Sequence, residues 1–414
     1  MTAITHVRNA RLRGEDSLFD LHIGESGIIL KVEPAAGTTG APGEIDAAGG
    51  LVIPSLIDAH LHLDLAHSLD IVPRNESGTL TEAIRLWSAA KATMTPESVK
   101  RRALRAIREE VSYGVGHIRT HVDVGTAAGM RLCEGVLAAR EETKDLVDIQ
   151  VVVFPQDGLI QDAGAYEQMR AGLEMGCDLV GGIAHNERTE ADSKRHIDML
   201  FDLAEEFDRD IDCHIDETDD PESKCVEVLA AGTIDHGRQG RVTGSHVCAL
   251  ASYDDVHAAK VIALLAEARV NVVTNPGVNL HLQGRGDRYP KRRGLTRVSE
   301  LLAAGVNVSA GQDCIKDPFY PLGTGNLLEV GHLLIHADHL AGPEQIEQVA
   351  DMLTVNPAGA LHLEKYGTDK GCRADLVVLP VESMHEAFRL RVTPSVVIKR
   401  GKLAYSRGRE DGTA

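Results

Sequence analysis

The chain has 414 residues, 43% of them hydrophobic, and a formal net charge of −19. That is enough apolar material for one large core and a smaller accessory one. So acidic a chain lacks the basic footprint that DNA or RNA binding needs, so no nucleic-acid partner is expected and any nucleobase substrate should be a free base. Seven scattered cysteines with no Cys-x-x-Cys fit a reducing compartment, and neither a signal-like start nor a membrane-length apolar run is visible, so a cytoplasmic protein without membrane association is expected.

Residues 1–52 read as short strands joined by Gly and Pro turns, over 4–12, 18–23, 28–32 and 44–47. The far end is alike, with a strand in Ala374-Asp-Leu-Val-Val-Leu-Pro and a hairpin in Val396-Val-Ile-Lys-Arg-Gly-Lys-Leu-Ala-Tyr. Residues 1–52 and 356–414 are therefore expected to form one composite β-sandwich domain. Residues 53–355 alternate apolar strand-like runs with helical segments. After a first run closing at His60-Leu-His62, the runs end at His121, Gln156, His185, His214, His246, Asn275 and Asp313, at intervals of 29 to 38 residues. Each interval holds one strand, one helix and two loops, and eight such strands predict an α/β fold of the (β/α)8 TIM-barrel type. Among the helices, Thr95-Pro96 supplies an N-cap and a first-turn proline for 97–112, and 253–268 carries apolar residues at helical spacing.

The chemistry is read from the strand ends, which a barrel gathers at one mouth. In Leu51-Val-Ile-Pro-Ser-Leu-Ile-Asp-Ala-His60-Leu-His62-Leu-Asp64 the alternation of a strand points His60 and His62 the same way. Strand five ends in His214, with Glu217 three residues on, and strand eight in Asp313. Three imidazoles and a carboxylate suit one Zn²⁺ or Fe²⁺ per chain. Strand six adds His246, able either to ligate or to exchange a proton. His121 and His185 read as hydrogen-bonded structural histidines. Pro290-Lys-Arg-Arg293 reads as a solvated or subunit-contact loop. Two other metal sites do not fit. His185-Asn-Glu187 has a deaminase-like spacing, but no Pro-Cys-x-x-Cys follows it, and the end of strand four lacks the lysine that would bridge two metals.

Longer blocks carry a resemblance. These are Ser77-Gly-Thr-Leu80, Arg119-Thr-His-Val-Asp123, Phe154-Pro-Gln156, Ser245-His246, Val278-Asn-Leu-His-Leu-Gln-Gly-Arg285, Tyr289-Pro-Lys-Arg-Arg-Gly294 and Asp317-Pro318 with Tyr320-Pro-Leu-Gly323. Together with the His60/His62 block, they resemble the cytosine deaminases of the amidohydrolase superfamily over nearly the whole length. The resemblance implies metal ligation by His60, His62, His214 and Asp313. It implies that His246 and Asp313 orient and deprotonate the attacking water, that Glu217 protonates ring N3, and that Gln156 binds the amide-like edge of the base. It also implies hydrolytic deamination of a small free pyrimidine by a homo-oligomer.

Two positions depart from the family pattern. Cys314 stands where a second aspartate follows the metal aspartate, and Phe319 where a tryptophan is found. Both belong to the expected substrate pocket, and the cysteine points to 5-substituted cytosines, 5-methylcytosine foremost. The alternatives are an amidohydrolase acting on another amino-substituted heterocycle, such as a triazine, isocytosine, creatinine-like or hydantoin-like ring, and an inactive assembly protein of the same fold.

Overall fold

In the computed structural model, which describes residues 2–37 and 40–408, eight parallel strands form the central barrel. They are Leu56–Leu61, Val115–Asp123, Asp148–Phe154, Leu179–Ile183, Asp210–Ile215, Val242–His246, Asn271–Thr274 and Val308–Ala310, each paired to the next. These are the eight strands expected from the strand-end spacing. The first and eighth meet only at their carboxyl ends, where Leu61 and Asp313 form an isolated parallel bridge. There the His62 N–H donates to the Asp313 carbonyl at 2.9 Å, and the Asp313 N–H to the His60 carbonyl at 2.7 Å. The barrel thus closes through the backbone of three residues whose side chains face its mouth. All the residues of the first strand are buried, as a strand covered on both faces requires.

Local chemistry places the outer helices. The Thr95 side chain accepts the Ser98 N–H and Pro96 sits in the first turn, so this helix runs Pro96–Ser112. Asp254 accepts the N–H groups of Val256 and His257, which starts the later helix at Asp255 rather than at 253. No helix among the described residues is long and apolar enough to cross a membrane.

The termini build a separate mixed sheet. Its strands are His6–Leu12, Leu18–Ile23, Ile29–Pro34, Glu44–Asp46 and Leu51–Pro54 from the first part of the chain. Leu376–Leu379, Val396–Lys399 and Lys402–Ser406 come from the last. The two parts join where Leu376–Leu379 runs antiparallel to Leu51–Pro54, with Val377 opposite Ile53. Val7, Leu21, Ile29, Val52, Leu376 and Ile398 give this sheet a core of its own. The chain passes from sheet to barrel at Ser55, between Leu51–Pro54 and Leu56–Leu61. Residues 1, 38, 39 and 409–414 of the expected terminal domain lie outside the described residues.

A buried ion pair pins this sheet to the base of the barrel. Lys399, 1% exposed, lies 2.9 Å from Asp375 and 2.9 Å from Asp148. It also donates to the Gly116 carbonyl at 2.8 Å. His117, Asp148 and Asp375 come close enough together to hold a metal, but the Lys399 ammonium already supplies the cation there. Against the opposing effect of burial, a hydrogen bond from His117 and the Lys399 ammonium hold the Asp375 carboxyl well below the usual carboxylate range. Removing one member of such a pair strands its partner without compensation. Lys399→Met should therefore lower unfolding free energy by about 3–5 kcal/mol, seen as a fall in the urea midpoint. An unchanged midpoint would show that the pair does not hold the two units together.

Candidate active site

The carboxyl ends of the barrel strands converge on a cavity of about 290 Å³ including open solvent. His62, His214, Glu217, His246 and Asp313 line it, as do Gln156, Cys314 and Phe319, while Leu65, Leu80, Val278 and Leu282 complete its apolar wall. His60, fully buried, is the one predicted site residue not on the lining. Its ring centroid is 4.5 Å from that of His214 and 5.0 Å from that of His246. A larger cavity, about 1320 Å³ including open solvent, lies at the opposite end of the barrel. Its charges are largely paired among themselves or with neighbours, Arg140 with Asp178, Lys144 with Glu141, Arg400 with Asp148 and His362 with Asp210. Donor chemistry, rather than size, therefore picks out the smaller cavity.

Around it His60 with His62 and His121, and His60 with His214 and His246, come close enough together to hold a metal ion. His62 Nε2 lies 3.0 Å from His214 Nε2, and both His60 Nε2 and His62 Nε2 lie 3.6 Å from Asp313 Oδ1. Ligands bound at about 2.0–2.1 Å in a tetrahedron sit roughly 3.3 Å apart, so these separations suit one shared ion. His60 Nε2 is buried without a hydrogen-bond partner. Burial, reinforced by the neighbouring imidazoles, keeps His60, His62 and His214 well below the ordinary histidine range, which leaves each ring with a lone pair to offer. Burial also raises the Asp313 carboxyl, helped by Glu217 and Asp317. A cluster this deep, with orphaned donors and no protein cation among them, is a fitting site for a divalent metal ion.

Backbone and buried neighbours hold the cluster in shape. Asp58 Oδ1 accepts the N–H of His60 at 3.2 Å and that of Gln312 at 3.1 Å, tying the two strands of the closure a second time. A Cβ at Gly311 would lie 2.8 Å from the His60 carbonyl oxygen and 2.9 Å from its Cβ, so only glycine lets the eighth strand come this close. Asp216, His246 and Asp313 all have left-handed backbone, with φ of 51°, 74° and 66°. Such conformations cost energy in non-glycine residues and persist where the surroundings enforce them.

Beneath the mouth lies a polar layer whose role sequence reasoning missed. His60 Nδ1 is 3.0 Å from Ser245 Oγ, and Ser245 donates to Asp212 Oδ1 at 2.8 Å. Asp212 stays ionised, its acidity favoured by His121 and Arg119 despite burial, and Arg119 donates to its other oxygen at 3.0 Å. An ionised carboxylate only accepts, so the single Ser245 proton goes to it and Ser245 accepts the Nδ1 proton of His60. That fixes the lone pair of His60 on Nε2, facing the cluster. Asp212 had a readable signal, since it lies two residues before His214 on the same strand and so shares its side. Ser245 gave none.

Of the other two histidines, His121 is paired with the buried Asp212, as expected of a hydrogen-bonded structural residue. His121 lies within the cluster, its ring centroid 4.1 Å from that of His60 and its Nε2 3.3 Å from Asp212 Oδ1. His185, half-buried and held near about 4 by burial, borders a different cavity. Glu187 accepts the backbone of Leu159 and Ile160 and pairs with His196, a structural role that removes the His-x-Glu reading. The Lys-Arg-Arg loop is held by its own chain. Arg292 bonds Asp287 and the Asp219 carbonyl, and Arg293 bonds the Ala337 carbonyl.

An amidohydrolase family model matches residues 43–161 and 92–405. The chain belongs to the amidohydrolase family. It is 40% identical to 5-methylcytosine deaminase from Klebsiella pneumoniae, whose structure liganded with 5-fluorocytosine matches it with a TM-score of 0.94 over 99% of each chain. It is 33% identical over 402 residues to N-isopropylammelide isopropyl amidohydrolase from Pseudomonas sp. (strain ADP), covering 96% of both chains. Pterin deaminase from Rhizobium rhizogenes is 31% identical over 381 residues, 91% of this chain and 86% of that one. This amidohydrolase is a metal-dependent hydrolase acting on carbon–nitrogen bonds.

The link from Asp212 through Ser245 to His60 gives a direct test. Ser245→Ala should weaken metal affinity by about 10–100-fold, the usual cost of losing a group that orients a ligand. Competitive titration against a chelator measures this, and affinity equal to wild type would remove Ser245 from the site.

Proposed function

We propose that this amidohydrolase is a hydrolytic deaminase of a free amino-pyrimidine base, converting cytosine or 5-methylcytosine to uracil or thymine with release of ammonia. The observation that carries this reading is the small cavity in which a carboxyl, an amide, a thiol and a phenyl ring surround the histidine cluster, in a chain 40% identical throughout to a 5-methylcytosine deaminase.

In this reading His60, His62, His214 and Asp313 hold one Fe²⁺ or Zn²⁺ per chain. When bound, such an ion supplies Lewis-acid activation of water at neutral pH. Gln156 pairs with the amide-like edge of the base and Phe319 forms a wall of the pocket. Asp313 and His246 orient the water and take its proton. Glu217, pushed up to about 8 by burial, keeps its own proton at neutral pH and delivers it to ring N3, quenching the charge that would build there. A carbon–oxygen bond forms at the ring carbon bearing the amino group; the proton taken from water passes to that amino group, the carbon–nitrogen bond breaks and ammonia leaves, while the new hydroxyl returns its proton to Glu217 to give the oxo product. Glu217→Gln should keep the metal and bind the base, yet lose at least about 10²-fold in kcat. Near wild-type turnover would remove Glu217 as the acid.

Cys314 sets the substituent. It is 2% exposed, and its thiol reaches Asp313 Oδ1 at 3.6 Å. Burial and the nearby carboxylates raise the thiol well above its ordinary range, so it borders the ring as a neutral, polarisable group. A methyl group there gains roughly 0.8 kcal/mol from burial, where a carboxylate would lose solvation. Activity on 5-methylcytosine should equal or exceed that on cytosine, and Cys314→Asp should reverse the order. If cytosine is preferred by more than about tenfold and Cys314→Asp leaves that ratio unchanged, the assignment of Cys314 fails.

The 33% identity to N-isopropylammelide isopropyl amidohydrolase favours a second reading, hydrolysis of another amino-substituted heterocycle. Ammonia release from cytosine, 5-methylcytosine, isocytosine, a pterin and amino-triazines separates the two. Fastest release from a pyrimidine supports the first, and release from a triazine or pterin alone overturns it.

A further inference from the structure

His246 is fully enclosed, and its two ring nitrogens meet different groups. Nδ1 lies 2.9 Å from Asn279 Nδ2. Amide nitrogen and oxygen are alike in shape, so the direction of this bond depends on what holds the other end of the amide. That end is committed, because Asn279 Oδ1 accepts the backbone N–H of Asn275 at 3.3 Å. A second bond runs back, from the Asn279 N–H to the Asn275 carbonyl at 2.9 Å. Asn279 is thus held to Asn275 twice, with its amide nitrogen presented to the imidazole.

An amide nitrogen only donates, so Nδ1 must accept. A neutral imidazole has one ring proton, and with Nδ1 accepting, that proton resides on Nε2. No other contact reverses the choice. Glu217 Oε1 is 3.6 Å from Nδ1, beyond hydrogen-bonding distance, and Asn275 Nδ2 lies 3.4 Å from both ring nitrogens and singles out neither. Nε2 is the nitrogen that looks toward Asp313, 3.8 Å from Oδ2.

We infer that Asn279 is a positioning residue that holds His246 as the Nε2–H tautomer, so that the imidazole enters the reaction as a hydrogen-bond donor. The tautomer follows from the contacts alone, and its catalytic consequence rests on the deaminase reading. A donor at Nε2 cannot take a proton from water. The two roles given jointly to His246 and Asp313 therefore divide. Asp313 accepts the proton, and His246 orients the attacking oxygen and stabilises the charge that develops on it. The helix that follows strand seven, Pro276–Leu282, then serves the chemistry as well as the wall, since Asn279 sits in it beside Val278, which lines the cavity.

Ring ¹⁵N NMR of the zinc-loaded full chain, labelled at histidine and assigned with His246→Gln, reads the proton positions directly. Wild type should show a proton-bearing Nε2 and a bare Nδ1. Asn279→Asp places an acceptor against Nδ1 and should move the proton there, with kcat falling by at least about 10²-fold while KM changes little. Asn279→Leu removes the directional bond and should give both tautomers with an intermediate kcat. Metal content measured for each protein reports an intact site. A wild-type ring protonated at Nδ1, or at both nitrogens, overturns the tautomer. A proton that moves to Nδ1 in Asn279→Asp without loss of kcat overturns the division of roles. A wild-type Nε2–H ring in a protein that deaminates none of the bases would leave the tautomer standing and defeat the deaminase reading alone.

Discussion

Two backbone hydrogen bonds organise this molecule, the His62 N–H to the Asp313 carbonyl and the Asp313 N–H to the His60 carbonyl. They close the barrel and set three donor side chains around one point. Elsewhere neighbouring strands share two to seven residue pairs, whereas the first and eighth touch through a single bridge. Closure and the placing of these three side chains are therefore one constraint. Asp58, gripping the N–H groups of His60 and Gln312, and Gly311, with no room for a Cβ, serve both at once. The cost falls on the backbone of Asp313 and His246, in a region that non-glycine residues avoid.

Below the cluster the barrel interior is unusually polar. Arg119, 2% exposed, reaches Asp212, Gln150 and the Ala360 carbonyl. A buried guanidinium is tolerable only when its donors are satisfied, and here it adds to the effect of His121 in keeping Asp212 ionised, so that Ser245 must accept from His60. The tautomers of two histidines are thus set from opposite sides, that of His60 by a hydroxyl below and that of His246 by an amide alongside. The mouth can present lone pairs on one ring and a proton on the other without either being solvated.

The sequence made legible what is periodic or local. The βα spacing located all eight strands, alternation aimed His60 and His62 together, and Thr95-Pro96 marked a helix start that the structure has within one residue. Residues whose meaning comes only from pairing across the chain were not legible. Ser245 meets His60 across 185 positions and Lys399 meets Gly116 across 283, and a serine or lysine in a strand has no local mark of such a role. The left-handed backbone at His246 was equally hidden, since ordinary strand geometry would turn Ser245 and His246 to opposite sides. The exposed Lys-Arg-Arg loop reads as solvated or subunit-contacting in sequence because its acceptors, the Asp219, Gly284 and Ala337 carbonyls, lie outside it.

If closure and metal binding are one constraint, the amides of the closure should report on the ion. Hydrogen–deuterium exchange on metal-free and reloaded protein measures this at 56–67 and 308–317, against the remaining strands as reference. The account predicts faster exchange of the His62 and Asp313 amides in the metal-free protein, with the other strands little changed, and full recovery of protection at one equivalent of metal per chain. Equal protection with and without metal would contradict it.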